Sequence, residues 1–253
     1  MIITLSPAKL QDFSKPASIK ESSKALYPKE TEELISELKV FSANEIAELM
    51  SISPKQSMEV YQHIQGFDMP RTPQKQAAFA YNGIAYKGLD AETISAEDWK
   101  FGQEHLIILT GLYGALRPLD LIKPYRLEFI IKLANSRGSN LYEFWGDTLT
   151  KYFSERLKKD DNTWLNVASH EYSKAINKKD LPKGTKIVNA IFKEQTAQGP
   201  KMKVVYAKKA RGMMARFVIQ NKITKIEDIK HFDTEGYSFS PSLSTDEDWV
   251  FTR

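Results

Sequence analysis

Thr110-Gly-Leu-Tyr-Gly-Ala-Leu-Arg-Pro-Leu-Asp-Leu-Ile-Lys-Pro-Tyr-Arg-Leu-Glu128 carries the chain out of an apolar run, residues 105–109, that predicts a buried strand. Gly111 and Gly114 then turn it, since glycine enters positive φ freely and lets a backbone or an anion come close. Pro118 and Pro124 bias Arg117 and Lys123 away from helix. The segment beyond the turn is therefore stiff and irregular, and it carries Arg117, Asp120, Lys123, Tyr125, Arg126 and Glu128 among leucines. Such a mixture predicts a packed loop whose charges have specific partners. Two readings stand: a structural turn whose arginines tie loops to the core, or a functional loop held by a rigid scaffold.

Outward from this stretch, the 253 residues are 42% hydrophobic and 27% charged, as in a globular protein with a sizeable core. No apolar run reaches the ~18–20 residues that span a bilayer, and the first nine residues lack the basic leader and long apolar stretch of a signal peptide. A cytoplasmic protein, probing no membrane, is the expectation. The absence of cysteine removes disulfides, thiolate metal sites and thiol nucleophiles. The four histidines are scattered, so no metal site and no cofactor is expected. Net charge is only +4, and its distribution matters more than its size.

Along the chain, residues 1–7 predict a first strand and 11–30 a surface loop. Helices are predicted at 32–40, at 43–50 behind the capping box Ser42/Glu45, and from Pro54 to about residue 65. A helix-turn-helix is an alternative for this region. Residues 76–86 predict a hairpin turned at Asn82-Gly83. Ser95 with Asp98 caps a helix to residue 103, and Asn140 with Glu143 caps the longest helix, to residue 159. Residues 163–169, 185–194 and 201–206 predict strands, 207–221 a helix, and Thr224/Glu227 a short capped one. Edge strands are expected at 237–240 and 249–252. Irregular alternation of this kind predicts one α/β (mixed α+β) domain over residues 1–253, a mixed sheet of seven to nine strands surrounded by helices.

Between Lys201 and Lys225 lie eight basic residues and no acidic one. On a helical wheel, Lys208, Lys209, Arg211 and Arg216 oppose an apolar face through Met213, Met214 and Val218. A basic stripe suits a run of phosphates, whereas a merely solvated face would mix signs. Standard nucleotide motifs are missing: there is no G-x-G-x-x-G, and Gly83 and Gly88 have P-loop spacing without the Lys-Ser/Thr that must follow. Glu128, Glu171 and His170 are candidates for acid–base work.

Taken together, these stretches resemble the YaaA family of bacterial peroxide-stress proteins nearly end to end. The resemblance rests on Ser6-Pro-Ala-Lys9, Tyr86-Lys-Gly-Leu89, residues 111–121, Pro124-Tyr-Arg-Leu-Glu128, Leu141-Tyr-Glu-Phe-Trp-Gly-Asp147, Glu171-Tyr172, Lys208-Lys-Ala-Arg-Gly212 with Arg216, and Gly236-Tyr237. The chain departs from the family pattern at Leu10, where threonine is usual, and at Phe129-Ile130, where Met-Gly is usual. The resemblance implies a compact family-specific fold, a positively charged cleft, and DNA binding through a helix-hairpin-helix-like element. It also implies a role in limiting peroxide damage linked to intracellular iron. The hairpin is placed here, on this reading, at Gly111 to Gly114.

Two functions follow as expectations. The first is a DNA-binding protein of the peroxide response, acting as a monomer on duplex or structurally distorted DNA. Its phosphate partners would be Lys9, Gly111, Gly114, Arg117, Lys123, Arg126, Lys208, Lys209, Arg211 and Arg216. The second is an enzyme on a phosphorylated or nucleotide-like substrate, because Tyr125, Glu128, Glu171 and Tyr172 have no role on a pure phosphate-binding surface. An iron-sequestering protein is disfavoured by the scattered histidines and missing cysteine.

Overall fold

The computed structural model describes residues 1–253. Its elements, in chain order, begin with β1 (Ile2–Leu5), α1 (Pro28–Lys39), α2 (Ala43–Met50), α3 (Pro54–Gln65), β2 (Lys75–Gln76), α4 (Ala77–Ala80), α5 (Ile84–Leu89) and α6 (Ala96–His105). The middle of the chain forms β3 (Leu106–Thr110), β4 (Gly114–Leu116), β5 (Leu121–Ile122), α7 (Leu141–Lys158), β6 (Thr163–Asn166) and α8 (His170–Ser173). It ends with β7 (Lys186–Lys193), α9 (Val204–Gln220), β8 (Ser238–Phe239) and β9 (Asp248–Thr252).

Seven strands form one mixed sheet in the order β4-β3-β1-β6-β7-β9-β8, so the class is α/β as expected. The five central strands run parallel, and the short outer strands β4 and β8 are antiparallel to their neighbours. Every residue of β1, β3 and β6 is buried, which requires cover on both faces. That is why apolar residues stand side by side in these strands rather than alternating with exposed polar ones. A single core of 67 buried residues joins the sheet to the helices around it.

Helix starts follow local chemistry. Ser42 with Glu45 and Ser53 with Gln56 form reciprocal capping boxes, and Ser95 and Asn140 accept from the backbone N–H three residues on. Helix α9 lies against β1, β7 and α6, and most closely against α5. Two glycines make that last approach: a Cβ on Gly88 would meet the Lys209 carbonyl oxygen at 2.1 Å, and one on Gly212 the Ala85 oxygen at 1.7 Å. The two backbones touch, and this contact sets where the first turns of α9 stand.

Several expectations are corrected. Residues 76–86 are not a hairpin. Ala77–Ala80 is helical, and Gly83, with extended backbone, starts α5. A short alanine-rich apolar run satisfies either period, and tertiary burial on all sides decides it. Residues 201–206 are not a strand either: only Lys201 pairs, in a single bridge to Glu194, and α9 begins at Val204. Strand β9 is internal, between β7 and β8, so of the two C-terminal strands only 238–239 is an edge. The turn after Thr224 is a 3-10 helix, Ile226–His231, without a side-chain cap. The long helix α7 is interrupted at Gly146, where φ is +41°.

The segment 111–114 is the turn of the β3–β4 hairpin, not a helical hairpin. Both glycines are buried there. A Cβ on Gly111 would strike the Leu127 carbonyl oxygen at 2.4 Å, and one on Gly114 the Trp145 ring at 2.7 Å. Buried and packed this closely against neighbouring groups, neither is open to a phosphate.

Candidate functional site

In an open α/β sheet, ligands bind outside the carboxyl ends of the strands where successive connections leave in opposite directions. Here β1 leads to β3 on one side and β6 leads to β7 on the other. The crevice therefore opens between β1 and β6. Residues that leave those two strands, Ser6 to Lys9 on one side and Val167, Ser169, Glu171 and Tyr172 on the other, line a cavity of about 490 Å³ there. The Ser169 N–H donates to Ser6 Oγ at 2.8 Å and closes the floor between the two chain segments. Tyr86 fixes the β1 side by donating from its phenol to the Ser6 carbonyl at 3.2 Å.

Four of the expected cations converge on this cavity: Lys9, Arg126, Lys208 and Arg211. Lys9 and Arg126 both hold Glu128, at 3.0 and 3.2 Å. Glu128 is buried, and its Oε2 and the Nε of Arg126 have no partner. Arg211 differs from all of these. It is half-buried, desolvation lowers its pKa, and it lines the cavity without a hydrogen bond or ion pair to the protein. Lys208, one turn nearer the start of α9, is exposed at the rim. The α5–α9 contact through Gly88 and Gly212 is what brings both to the mouth.

The remaining expected cations are occupied elsewhere. Arg117 donates to the fully buried Asp120 through Nε at 3.1 Å and through its terminal nitrogen at 2.9 Å. Lys123 donates to the Phe67 carbonyl at 2.7 Å. Lys209 pairs with Glu235, and Arg216 reaches the Leu89 and Asp90 carbonyls at the end of α5. The stretch 201–225 has no acids of its own, but distant segments supply them, and the single basic stripe is divided.

Of the polar candidates, Glu171 and Tyr172 line the cavity. Burial first, then the charge of Glu128, raises the Glu171 carboxyl above its usual range, although the Ile130 N–H donates to it at 3.3 Å. Burial also pushes the Tyr172 phenol far up. Tyr125 lies deeper: its hydroxyl bonds Tyr81 at 2.6 Å and Thr110 at 3.0 Å, and burial raises its pKa to about 12. It is a packing residue beneath the site. Asn82 and Gln56 also line the cavity and were not singled out from sequence. Their signal is three-dimensional, whereas Ser6 and Ser169 could have been found as the residues just beyond two buried parallel strands.

No three His, Asp or Glu side chains are grouped as a metal centre requires, and no helix is long and apolar enough to cross a membrane. A mostly parallel sheet, opening at its switch point onto four cations of which Lys208 and Arg211 make no ion pair, places the chain among α/β proteins. The comparisons narrow this class. The sequence model of the family described as peroxide stress protein YaaA matches residues 1–243. The chain is 42% identical to a UPF0246 protein of Teredinibacter turnerae over 256 residues, covering 100% of this chain and 99% of the relative. It is 42% identical to one of Colwellia psychrerythraea, with the same coverage, and 41% identical to one of Neisseria meningitidis, covering 98% of that relative. The chain belongs to the YaaA peroxide-stress family.

Proposed function

We propose that the protein binds DNA in the peroxide-stress response, limiting peroxide damage, by drawing backbone phosphate into the cavity between β1 and β6. The supporting observation is Arg211. A half-buried guanidinium with no carboxylate paired to it has unmet donors, and a phosphate oxygen pair matches its planar fork. Lys208, Lys9 and Arg126 stand around the same opening, and the exposed Lys201 and Lys203 continue the basic surface along the approach to α9. The reading takes duplex or structurally distorted DNA as the partner and a cytoplasmic monomer as the acting species.

The test is fluorescence anisotropy with duplex, bulged and single-stranded DNA. Neutralising three to four phosphates should weaken binding about 40- to 150-fold between 50 and 200 mM salt. A Lys208→Glu/Arg211→Met variant should lose most of the affinity and flatten the salt slope. Lys209→Glu, whose ammonium is already held by Glu235, should change little. Wild-type affinity and slope in the double variant would end this reading.

A second reading, an enzyme on a phosphorylated or nucleotide-like substrate, is favoured by Glu171. A carboxyl raised by burial and by the charge of Glu128, in a cation-lined cavity, suits general acid–base work. A screen of nucleotides and phosphorylated metabolites would test it. Turnover abolished by Glu171→Gln with binding retained would favour catalysis over binding alone.

A further inference from the structure

Glu171 is a wall with two sides. One side faces the cavity between β1 and β6. The other faces a second cavity of about 660 Å³, lined by Phe129, Ile130, Lys132, Tyr142, His170 and Lys174. The wall is held firmly: Glu171 accepts from the Ile130 N–H, and its carbonyl accepts from the Tyr142 phenol at 2.9 Å. Nothing in the proposed role of the first cavity uses the second.

The chemistry of the second cavity repeats that of a single-strand groove. Its cations, Lys132 and Lys174, are exposed and make no ion pair. The Lys174 ammonium lies 4.1 Å from the centre of the Tyr142 ring, which keeps it over the cavity. Phe129 stacks on Tyr142 with ring centres 5.2 Å apart, and Ile130 stands 70% exposed beside them. An isoleucine this exposed next to two free lysines offers an apolar face to a base and charge to its phosphate. The only carboxylate is the shared Glu171, so anion entry is opposed by one acid that burial already drives toward its neutral form. Lys208 and Arg211 line the first cavity and Lys132 and Lys174 the second, with Glu171 common to both.

A continuous duplex cannot use this arrangement, because its bases are stacked inside and only its phosphates are presented. An unpaired strand can seat successive units in successive cavities, with phosphates on lysine and bases against apolar surface. Resting on the DNA reading above, we infer that the second cavity is a subsite for the adjoining nucleotide of an unpaired strand, with Lys132 and Lys174 as its phosphate partners and Ile130 as its base contact.

The experiment compares three probes by anisotropy or competition: thymidine monophosphate, a labelled six-nucleotide oligo-dT, and a 20-base-pair duplex. The variant Lys132→Glu/Lys174→Glu changes exposed side chains only, and its thermal melt should match wild type. It should bind the hexamer about tenfold or more weakly, with a salt slope smaller by about 1.4, the value for two phosphates of a single strand. Ile130→Asp should likewise weaken the hexamer. Neither should alter competition by the monophosphate, which needs only the first cavity. Hexamer affinity and slope unchanged in Lys132→Glu/Lys174→Glu, but lost in Lys208→Glu/Arg211→Met, would overturn the second subsite and leave the DNA reading standing. Failure of the wild-type protein to bind any of the three probes would remove that reading, and this inference with it.

Discussion

Replacing Gly212 by alanine puts a methyl carbon 1.7 Å from the Ala85 carbonyl oxygen, where ordinary contact begins near 3.4 Å, so α5 and α9 would have to part by about 1.7 Å. On helix propensity alone the substitution should stabilise α9 by up to about 1 kcal/mol. Overpacking of a close-packed contact costs about 1–3 kcal/mol, and more where backbone rather than a flexible side chain is struck. Here the obstruction is a carbonyl oxygen within a helix, and the Leu89 amide nitrogen also lies 2.8 Å from the added carbon. The net effect should be a loss of about 2–3 kcal/mol, which in a chain of this size lowers Tm by roughly 5–10 °C. Differential scanning calorimetry measures this directly, with Gln220→Ala on the exposed end of α9 as a control for propensity. Because propensity and packing have opposite signs, an unchanged or raised Tm in Gly212→Ala would refute the claim that the backbones touch. Separation of the helices would also carry Lys208 and Arg211 away from the cavity, so loss of DNA affinity should accompany the loss of stability.

Arg211→Met should raise Tm slightly in buffer, because a desolvated charge without a protein partner is removed, while pyrophosphate that stabilises the wild-type protein in thermal shift should stabilise the variant far less. Asp120→Asn should cost about 3 kcal/mol by urea titration, since it removes the charge that Arg117 and Ser23 are arranged around in a fully buried position. The Glu171 carboxyl has a higher pKa folded than unfolded, so the folded chain holds its proton more tightly. Its unfavourable contribution is complete above the folded pKa and is relieved as pH falls through it toward the unfolded value of about 4.3. Glu171→Gln should therefore be more stable than wild type at pH 8 and equal to it near pH 4, as seen in paired thermal melts.

What was legible in the sequence was what is local. The caps at Ser42, Ser53, Ser95 and Asn140 lie within three residues of their partners, and the apolar runs of β1, β3, β6 and β7 are unbroken or alternate plainly. Residues 77–80 misled because four apolar residues fit a buried strand or a buried helix equally, and the surrounding packing chooses. For the site, the residue types were visible and their partners were not. Asp120 lies three residues from Arg117 and could have been paired with it. Glu235 is 26 residues from Lys209, and Asp90 is 126 from Arg216. Neutralisation over such distances leaves no trace in composition, so a stripe of four cations on α9 looked uniform when only Lys208 and Arg211 remain for a ligand. Conversely, Lys9, Glu128 and Glu171 could be named individually, but their meeting depends on the order of strands in the sheet.

The outer strands of that sheet have a consequence for the life of the protein at high concentration. At one border stands β4, with three residues, and at the other β8, with two. A border strand is a template on which another molecule can add a strand of its own, and the number of unpaired backbone groups sets how well it does so. Strips this short give an incoming chain too few hydrogen bonds to repay its lost freedom. The longest strands, β3, β7 and β9, which would be the most adhesive, are all interior. Sheet-to-sheet aggregation should therefore require partial unfolding first, and should track the loss of the α5–α9 contact rather than protein concentration alone.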